Sequence, residues 1–248
     1  MSLISLDNVA FGYSRKQQVL HDVSFSLRPG VNVGLVGESG SGKSTILKLL
    51  LGLARPTSGR IQFGDAELNP GNRAFMRDYR KAVQAVFQDP YSSLDPRQKV
   101  QSIIAEPLRA LRIPGSHQEA IEKAIHDVSL PADAIDRYPH EFSGGQRQRI
   151  AIARAIVARP QLILADEAVS ALDLSTRARI VDLLKALSAD MTILLVSHDL
   201  AVVAALCEEI VILQKGRIVE SGKTADILAN PAHPYTQKLL ASVPRMPA

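Results

Sequence analysis

Apolar and polar residues follow a strand-like pattern over ISLDNVAFGY (4–13) and VLHDVSFSL (19–27), so the chain is expected to open as an antiparallel sheet. Arg28-Pro29-Gly30 supplies a turn, and the apolar run VNVGLVG (31–37) after it predicts a buried strand. That strand leads straight into a glycine-rich loop and then into STILKLLLGL (44–53), whose apolar residues cover most of a helix surface. Residues 58–68 predict a further hairpin, and KAVQAVFQ (81–88) a strand ending at Gln88. From Asp89 to about Ala158 the period becomes helical, with Ala120, Ile121, Ala124, Ile125 and Val128 on one face, and predicts a helical subdomain. QLILAD (161–166) and MTILLVSHD (191–199) flank an amphipathic helix carrying Ile180, Val181, Leu183, Leu184 and Leu187. Buried strand alternating with helix predicts a parallel α/β sheet whose functional residues lie at the strands' carboxyl ends. EEIVILQKGRIVES (208–221) predicts a hairpin turning at Lys215-Gly216.

Composition narrows the classes. At 248 residues the chain allows one large domain, or a core carrying a smaller subdomain, and 46% apolar with 22% charged residues describes an ordinary globular protein. The net charge of +4 arises from 29 basic residues scattered among 25 acidic ones, so nucleic acid is not an expected partner. A single cysteine, Cys207, in the apolar stretch AVVAALCEE, excludes an intrachain disulfide and a cysteine-based metal site, and predicts a buried structural thiol. The start lacks the layout of a signal peptide and no run approaches the ~18 apolar residues that span a bilayer. Any membrane process is therefore expected to be served from the cytosolic side.

The chemistry begins at Gly37-Glu38-Ser39-Gly40-Ser41-Gly42-Lys43-Ser44-Thr45, which satisfies the phosphate-loop pattern between a predicted strand and helix. Glycines let successive N–H groups turn toward phosphates, and the helix amino end favours negative charge. Lys43 is placed to reach the β and γ phosphates of ATP and the Ser44 hydroxyl to ligate Mg²⁺. Downstream, the strand run Leu162–Ala165 ends in Asp166-Glu167. Next to a phosphate loop this pair divides the work: Asp166 holds Mg²⁺ through water, and Glu167 polarises the attacking water as general base. These two elements fit many nucleotide hydrolases.

Phe142-Ser143-Gly144-Gly145-Gln146-Arg147-Gln148-Arg149 separates them, because it closely resembles the signature motif of the ABC ATPases. A serine hydroxyl and glycine N–H groups at a helix start form a second anion-binding end. The resemblance covers essentially the whole chain, and its implications follow residue by residue. Gln88 matches the Q-loop glutamine that contacts metal and attacking water. Ser170-Ala171-Leu172-Asp173 matches the D-loop, His198 the switch histidine, and Tyr13 the aromatic on which adenine stacks. The implied fold is a phosphate-loop NTPase core with a parallel sheet, an N-terminal antiparallel β-subdomain and an inserted helical subdomain, divided as 1–88 with 159–248 and 89–158. ATP would lie between the phosphate loop of one cassette and Ser143–Gln146 of another. The implied partners are therefore a second ATPase chain, expected as a heterodimer with a homodimer as the alternative, two membrane permeases and, indirectly, a substrate-binding protein. The implied location is peripheral, on the cytoplasmic face of the cell membrane. Tyr91 and Leu94, in the segment after Gln88, are candidates for the permease's docking groove.

DPYSSLDPR, RYPHEFSGGQRQRIAIARAI and the ending NPAHPYTQKLLASVP resemble the importers of dipeptides, oligopeptides and nickel. Asp166-Glu167-Ala168-Val169-Ser170 departs from the usual proline after the glutamate and is similar to metal-chelate importers, tilting the expectation toward nickel without excluding peptides. The sequence stops soon after Leu240 without a further cysteine, so a cluster-binding tail is not expected. An exporter subunit, or a nucleotide switch without turnover, are the alternatives; both Glu167 and His198, which turnover requires, are present.

Overall fold

A computed structural model describes residues 2–14, 17–170 and 172–241; Ala171 of the D-loop match and the residues from Ser242 onward lie outside them. In chain order the elements are β1 (Ile4–Ser14), β2 (Gln17–Leu27), β3 (Val33–Val36), α1 (Lys43–Leu50), β4 (Ser58–Phe63), β5 (Ala66–Glu67), α2 (Arg73–Ala82), β6 (Val83–Val86), α3 (Pro90–Ser93), α4 (Val100–Ala110), α5 (His117–Asp127), α6 (Gly144–Ile156), β7 (Leu162–Asp166), α7 (Leu174–Leu187), β8 (Thr192–Ser197), α8 (Leu200–Leu206), β9 (Glu209–Gln214), β10 (Arg217–Lys223), α9 (Thr224–Ala229) and α10 (Pro234–Ala241). They divide into two units, one from the chain up to Met76 and from Thr192 onward, the other Arg77–Met191.

In the first unit β1 and β2 pair antiparallel, with Leu6 opposite Phe25, and β1 also pairs β4, with Leu6 opposite Ile61. Alternate side chains of β1, Ile4 and Leu6, are buried, as the period of two requires. Separately, β3 runs parallel to both β8 and β9, and β10 folds back antiparallel on β9. The connecting residues Lys215 (φ 46°) and Gly216 (φ 75°) are both left-handed, the geometry that matches the twist of a two-residue hairpin. The four residues of β3 and all six of β8 are buried, consistent with parallel strands covered on both faces. Buried Asn32 sets the entry to β3: its amide donates to the Leu206 carbonyl at 3.1 Å, and its side-chain oxygen accepts from Ile193 N at 2.9 Å. In α1, Ile46, Leu49 and Leu50 are buried, as its apolar pattern predicts.

In the second unit β6 and β7 are parallel, with Val83 opposite Leu162. Helix α6 carries consecutive buried residues Ile150, Ala151, Ile152 and Ala153, the mark of a helix surrounded by others, and it packs against α3, α4 and α5. Helix α5 starts where the Ser116 hydroxyl accepts from Glu119 N at 3.3 Å, and buries Ile121, Ala124 and Ile125.

Two details depart from the sequence reading. The strand predicted over 81–88 is shorter: Lys81 and Ala82 close α2, and β6 ends at Val86. Helix α2 was hidden by its many charged residues, yet Met76, Tyr79 and Ala82, three positions apart, form its buried edge. Of the two docking candidates, Tyr91 is 63% exposed but Leu94 is only 3% exposed, so Leu94 belongs to the interior and offers no surface anchor. Among the described residues, no helix is long and apolar enough to cross a membrane.

Candidate functional site

The phosphate loop joins β3 to α1 in the first unit. Gly40 (φ 78°) and Gly42 (φ 112°) take left-handed backbone that side chains resist, whereas Gly37 is imposed by space. A Cβ at Gly37 would lie 2.2 Å from the Leu213 carbonyl oxygen and 2.6 Å from Ser41 Oγ. The loop is also braced by the β9–β10 turn, where Gly216 N donates to the Ser41 carbonyl at 2.8 Å. Lys43, 7% exposed, turns inward and donates from Nζ to the carbonyls of Gly37 (2.6 Å) and Glu38 (3.0 Å). Gly42, at the N-cap of α1, gives the helix amino end no side-chain cap. Ser41 Oγ is buried without a hydrogen-bond partner among the described residues. Uncapped amides, an inward lysine and a buried hydroxyl in need of a partner suit a polyphosphate. Glu38, Ser39, Gly40 and Ser44 are exposed on the loop's open side, while Thr45 is buried with the helix.

Tyr13, near the end of β1, is 58% exposed, which rules out a core role for its ring. It stands edge-on to Phe11 with centroids 5.1 Å apart, and Lys48 Nζ of α1 sits 5.9 Å from the ring centre. His198 follows β8 at its carboxyl end and is exposed, just before Asp199, which caps α8 by accepting from Ala201 N at 2.9 Å.

The second unit holds the other predicted residues. Asp166 ends β7, and Glu167 after it takes a left-handed φ of 45°. Such a backbone costs about 1–3 kcal/mol at a non-glycine residue and persists only where neighbours enforce it. Ser170 does so here: both its N–H and its hydroxyl donate to the Glu167 carbonyl at 3.0 Å. Gln88 Nε2 donates to the same Ser170 hydroxyl at 3.2 Å, so Gln88 and the Glu167 turn are linked through one side chain. Ala168 and Val169, where the proline of the usual pattern is absent, are buried.

Ser143 caps α6. Its N–H donates to Gln146 Oε1 at 2.9 Å, and its hydroxyl accepts from Gln146 N at a longer 3.4 Å, a reciprocal capping box. Gly144 has open space around it, but a Cβ at Gly145 would lie 2.3 Å from Thr176 Cγ2 on α7. Asp173 caps α7, accepting from the Ser175 hydroxyl (2.7 Å) and from the amides of Ser175 (3.1 Å) and Thr176 (3.0 Å). These bonds, the Ser175 hydroxyl first, hold its carboxyl far below the usual carboxylate range. The signature turn and the end of the D-loop match are thus joined through Thr176.

Sequence reasoning placed the Gly216 turn but not its bond to the loop, and it did not find Thr176, Leu213 or Tyr235, whose hydroxyl accepts from Glu38 N at 2.9 Å. Their partners are distant in sequence, and no local pattern announces them. The one cysteine behaves as expected: Cys207 is buried, and burial pushes its thiol pKa up.

Known proteins carry the same plan. Residues 20–170 match the ABC transporter family model, and residues 219–248 match that of the oligopeptide/dipeptide transporter C-terminal region. A putative peptide import ATP-binding protein of Brucella ovis is 46% identical over 250 residues, covering 98% of this chain and 78% of the relative. The glutathione import ATP-binding protein GsiA of Shigella flexneri is 46% identical over 235 residues, which span 93% of this chain but only 38% of GsiA. Among solved structures, cbiO1 of Clostridium perfringens shares the fold with a TM-score of 0.84 at 23% identity, covering 98% of this chain and 96% of that one. An ATP-binding cassette in a dimeric, post-hydrolysis state with ADP and Pi superposes with a TM-score of 0.78 at 29% identity, over 89% of this chain and 98% of its own. With a family model spanning most of the chain and a relative at 46% identity that covers 98% of it, this chain belongs to the ABC transporter family, as one of its ATP-binding, ATP-hydrolysing cassettes.

Proposed function

We propose that this cassette drives the import of short peptides, hydrolysing ATP held between its own phosphate loop and the signature turn of a second cassette. One observation carries the nucleotide half of this reading: the glycine loop delivers an inward Lys43 and a helix amino end with no side-chain cap. The peptide half is supported by the relatives, whose names concern peptide and glutathione import; those named here do not include a nickel importer.

The roles follow from placement. Lys43 and amides of the Gly37–Thr45 loop other than that of Glu38 bind the phosphates, and Tyr13 offers an exposed ring face for adenine. Mg²⁺, when bound, neutralises phosphate charge and orients the terminal phosphoryl group for attack. Ser44, Asp166 and the Gln88 side-chain oxygen are the donors assigned to it. All three are hard oxygen donors, the chemistry Mg²⁺ takes alongside water and phosphate oxygens. Glu167 takes the proton of the attacking water, and the Ser170 bonds fix the direction of its backbone. Gln88 couples that turn to the segment before α3, and His198 contacts the γ-phosphate. Asp173 serves as an acceptor that stays ionised, and Ser143–Gln146 receive the γ-phosphate of the opposite cassette. The segment 89–158 serves as the helical subdomain that meets a permease, with Tyr91 as its exposed anchor. Two permeases, a second and different ATPase chain, and a position at the cytoplasmic face complete the assembly.

The test is Glu167→Gln in the purified chain paired with its partner cassette. ATP affinity is expected to persist while turnover falls roughly a hundredfold or more. Near-normal turnover refutes the base assignment. For the cargo, the reconstituted transporter with its binding protein is expected to hydrolyse ATP faster with di- or tripeptides than with nickel, and the reverse order refutes peptide import.

A further inference from the structure

The phosphate loop is held from outside by α10, the last of the described helices. The amino end of α10 is assembled by side chains. The Glu220 carboxylate of β10 accepts from the amides of Ala232 (2.9 Å) and His233 (3.1 Å), and His233 Nδ1 accepts from Tyr235 N at 3.1 Å. Burial works against the Glu220 carboxylate, but the Thr236 side chain and then the amides of Ala232 and His233 outweigh it and keep its pKa below the ordinary value. Pro234 opens the helix, where its missing N–H costs nothing. His-Pro-Tyr therefore forms a rigid corner that aims Tyr235, 5% exposed, at the loop. Its hydroxyl accepts from Glu38 N at 2.9 Å, and one turn on, Lys238 Nζ lies 3.5 Å from the Glu38 carboxylate. The lysine pair is exposed at both ends and contributes little; the buried hydroxyl is the effective contact.

The consequence concerns the Glu38 peptide. Its N–H is taken by Tyr235, while its carbonyl accepts from Lys43 Nζ at 3.0 Å and from Ser41 N at 3.2 Å. A lysine that turns to phosphate gives up its carbonyl partners, and the loop then loses a bond that holds its shape. The Tyr235 contact remains, because it grips Glu38 through the N–H, an atom the lysine does not bond.

We infer that Tyr235 is a positioning residue: the C-terminal His233-Pro234-Tyr235 corner is a strap that presets the phosphate loop before and during nucleotide binding. The inference rests on reading the loop as the nucleotide site. It also gives a physical task to the C-terminal region that peptide-transporter relatives share, within residues 219–248.

The experiment compares wild type, Tyr235→Phe, Lys238→Ala and Lys43→Ala by amide hydrogen exchange across residues 36–44, binding of a fluorescent mant-ATP probe, and steady-state hydrolysis with the partner cassette. Tyr235→Phe retains the ring and its packing and removes only the acceptor. Faster exchange at Glu38, roughly 3- to 10-fold weaker mant-ATP binding and a matching rise in KM are expected, with kcat changed less than about twofold. Lys238→Ala is expected to change affinity by less than about twofold. Loop exchange and KM equal to wild type overturn the inference, and so does a lowered Tm without either change, which would leave Tyr235 a packing residue only. Wild-type protein that binds mant-ATP no better than Lys43→Ala would count instead against the nucleotide reading itself.

Discussion

The two glycine-rich helix starts, Gly37–Lys43 before α1 and Ser143–Gln146 at α6, present the same chemistry through opposite constructions. The first cannot satisfy itself. Its N-cap is a glycine with no side chain to offer, so Gly216 and Tyr235 from distant segments hold its shape, and its lysine rests on its own carbonyls. The second is self-contained, with Ser143 and Gln146 closing a capping box on each other without outside help. A loop held by its surroundings keeps its backbone shape for a ligand, with only Lys43 having to leave its carbonyls. A loop that caps itself must release its bonds, and the long 3.4 Å contact at the Ser143 hydroxyl marks the one that yields most readily. Each glycine that cannot be replaced also has a different wall: backbone at Gly37, a side-chain methyl at Gly145.

That contrast can be broken most severely at Gly37. Gly37→Ala drives a Cβ to 2.2 Å from the Leu213 carbonyl oxygen, which has no rotamer by which to move away. A loss of about 3 kcal/mol, at the upper end of overpacking costs, is expected together with a tenfold or greater loss of mant-ATP affinity. Urea unfolding and probe titration read both. Gly145→Ala meets the Thr176 methyl at 2.3 Å, a side chain able to shift, so about 1–2 kcal/mol is expected. The double variant with Thr176→Ser, which removes that methyl, should regain most of it; an additive double-mutant cycle would show that the two residues do not share a wall. The smallest effect is expected at Ser143→Ala, where losing a cap costs about 1 kcal/mol. Because Gln146 still accepts from the residue 143 amide, a urea midpoint falling as far as that of Gly37→Ala would mean the signature turn depends on its surroundings after all.

Legibility in the sequence followed the range of the forces. Strand and helix periods placed β1, β2, β3, α1, β7 and β8 close to their observed bounds, because burial on one or both faces writes itself into the pattern. Helix α2 escaped, since its buried edge is Met76, Tyr79 and Ala82 among charges, and the strand read over 81–88 is four residues too long, because Lys81 and Ala82 belong to α2 and Phe87 and Gln88 lie beyond the last paired residue. Leu94 looked like a surface anchor because sequence gives apolarity without direction; packing alone turned it inward.

By itself the sequence determined the fold class, the order of motifs and the residues that carry them, because glycine runs, strand-terminal carboxylates and helix caps act over a few neighbouring positions. Only the tertiary structure decided that Gln88 and Glu167 share the Ser170 hydroxyl, that Thr176 walls in Gly145, and that a tyrosine nearly two hundred residues away holds the phosphate loop. A single hydrogen bond or van der Waals wall between distant segments leaves no period, charge pattern or spacing in the chain, and it exists only once the core has brought the two backbones together.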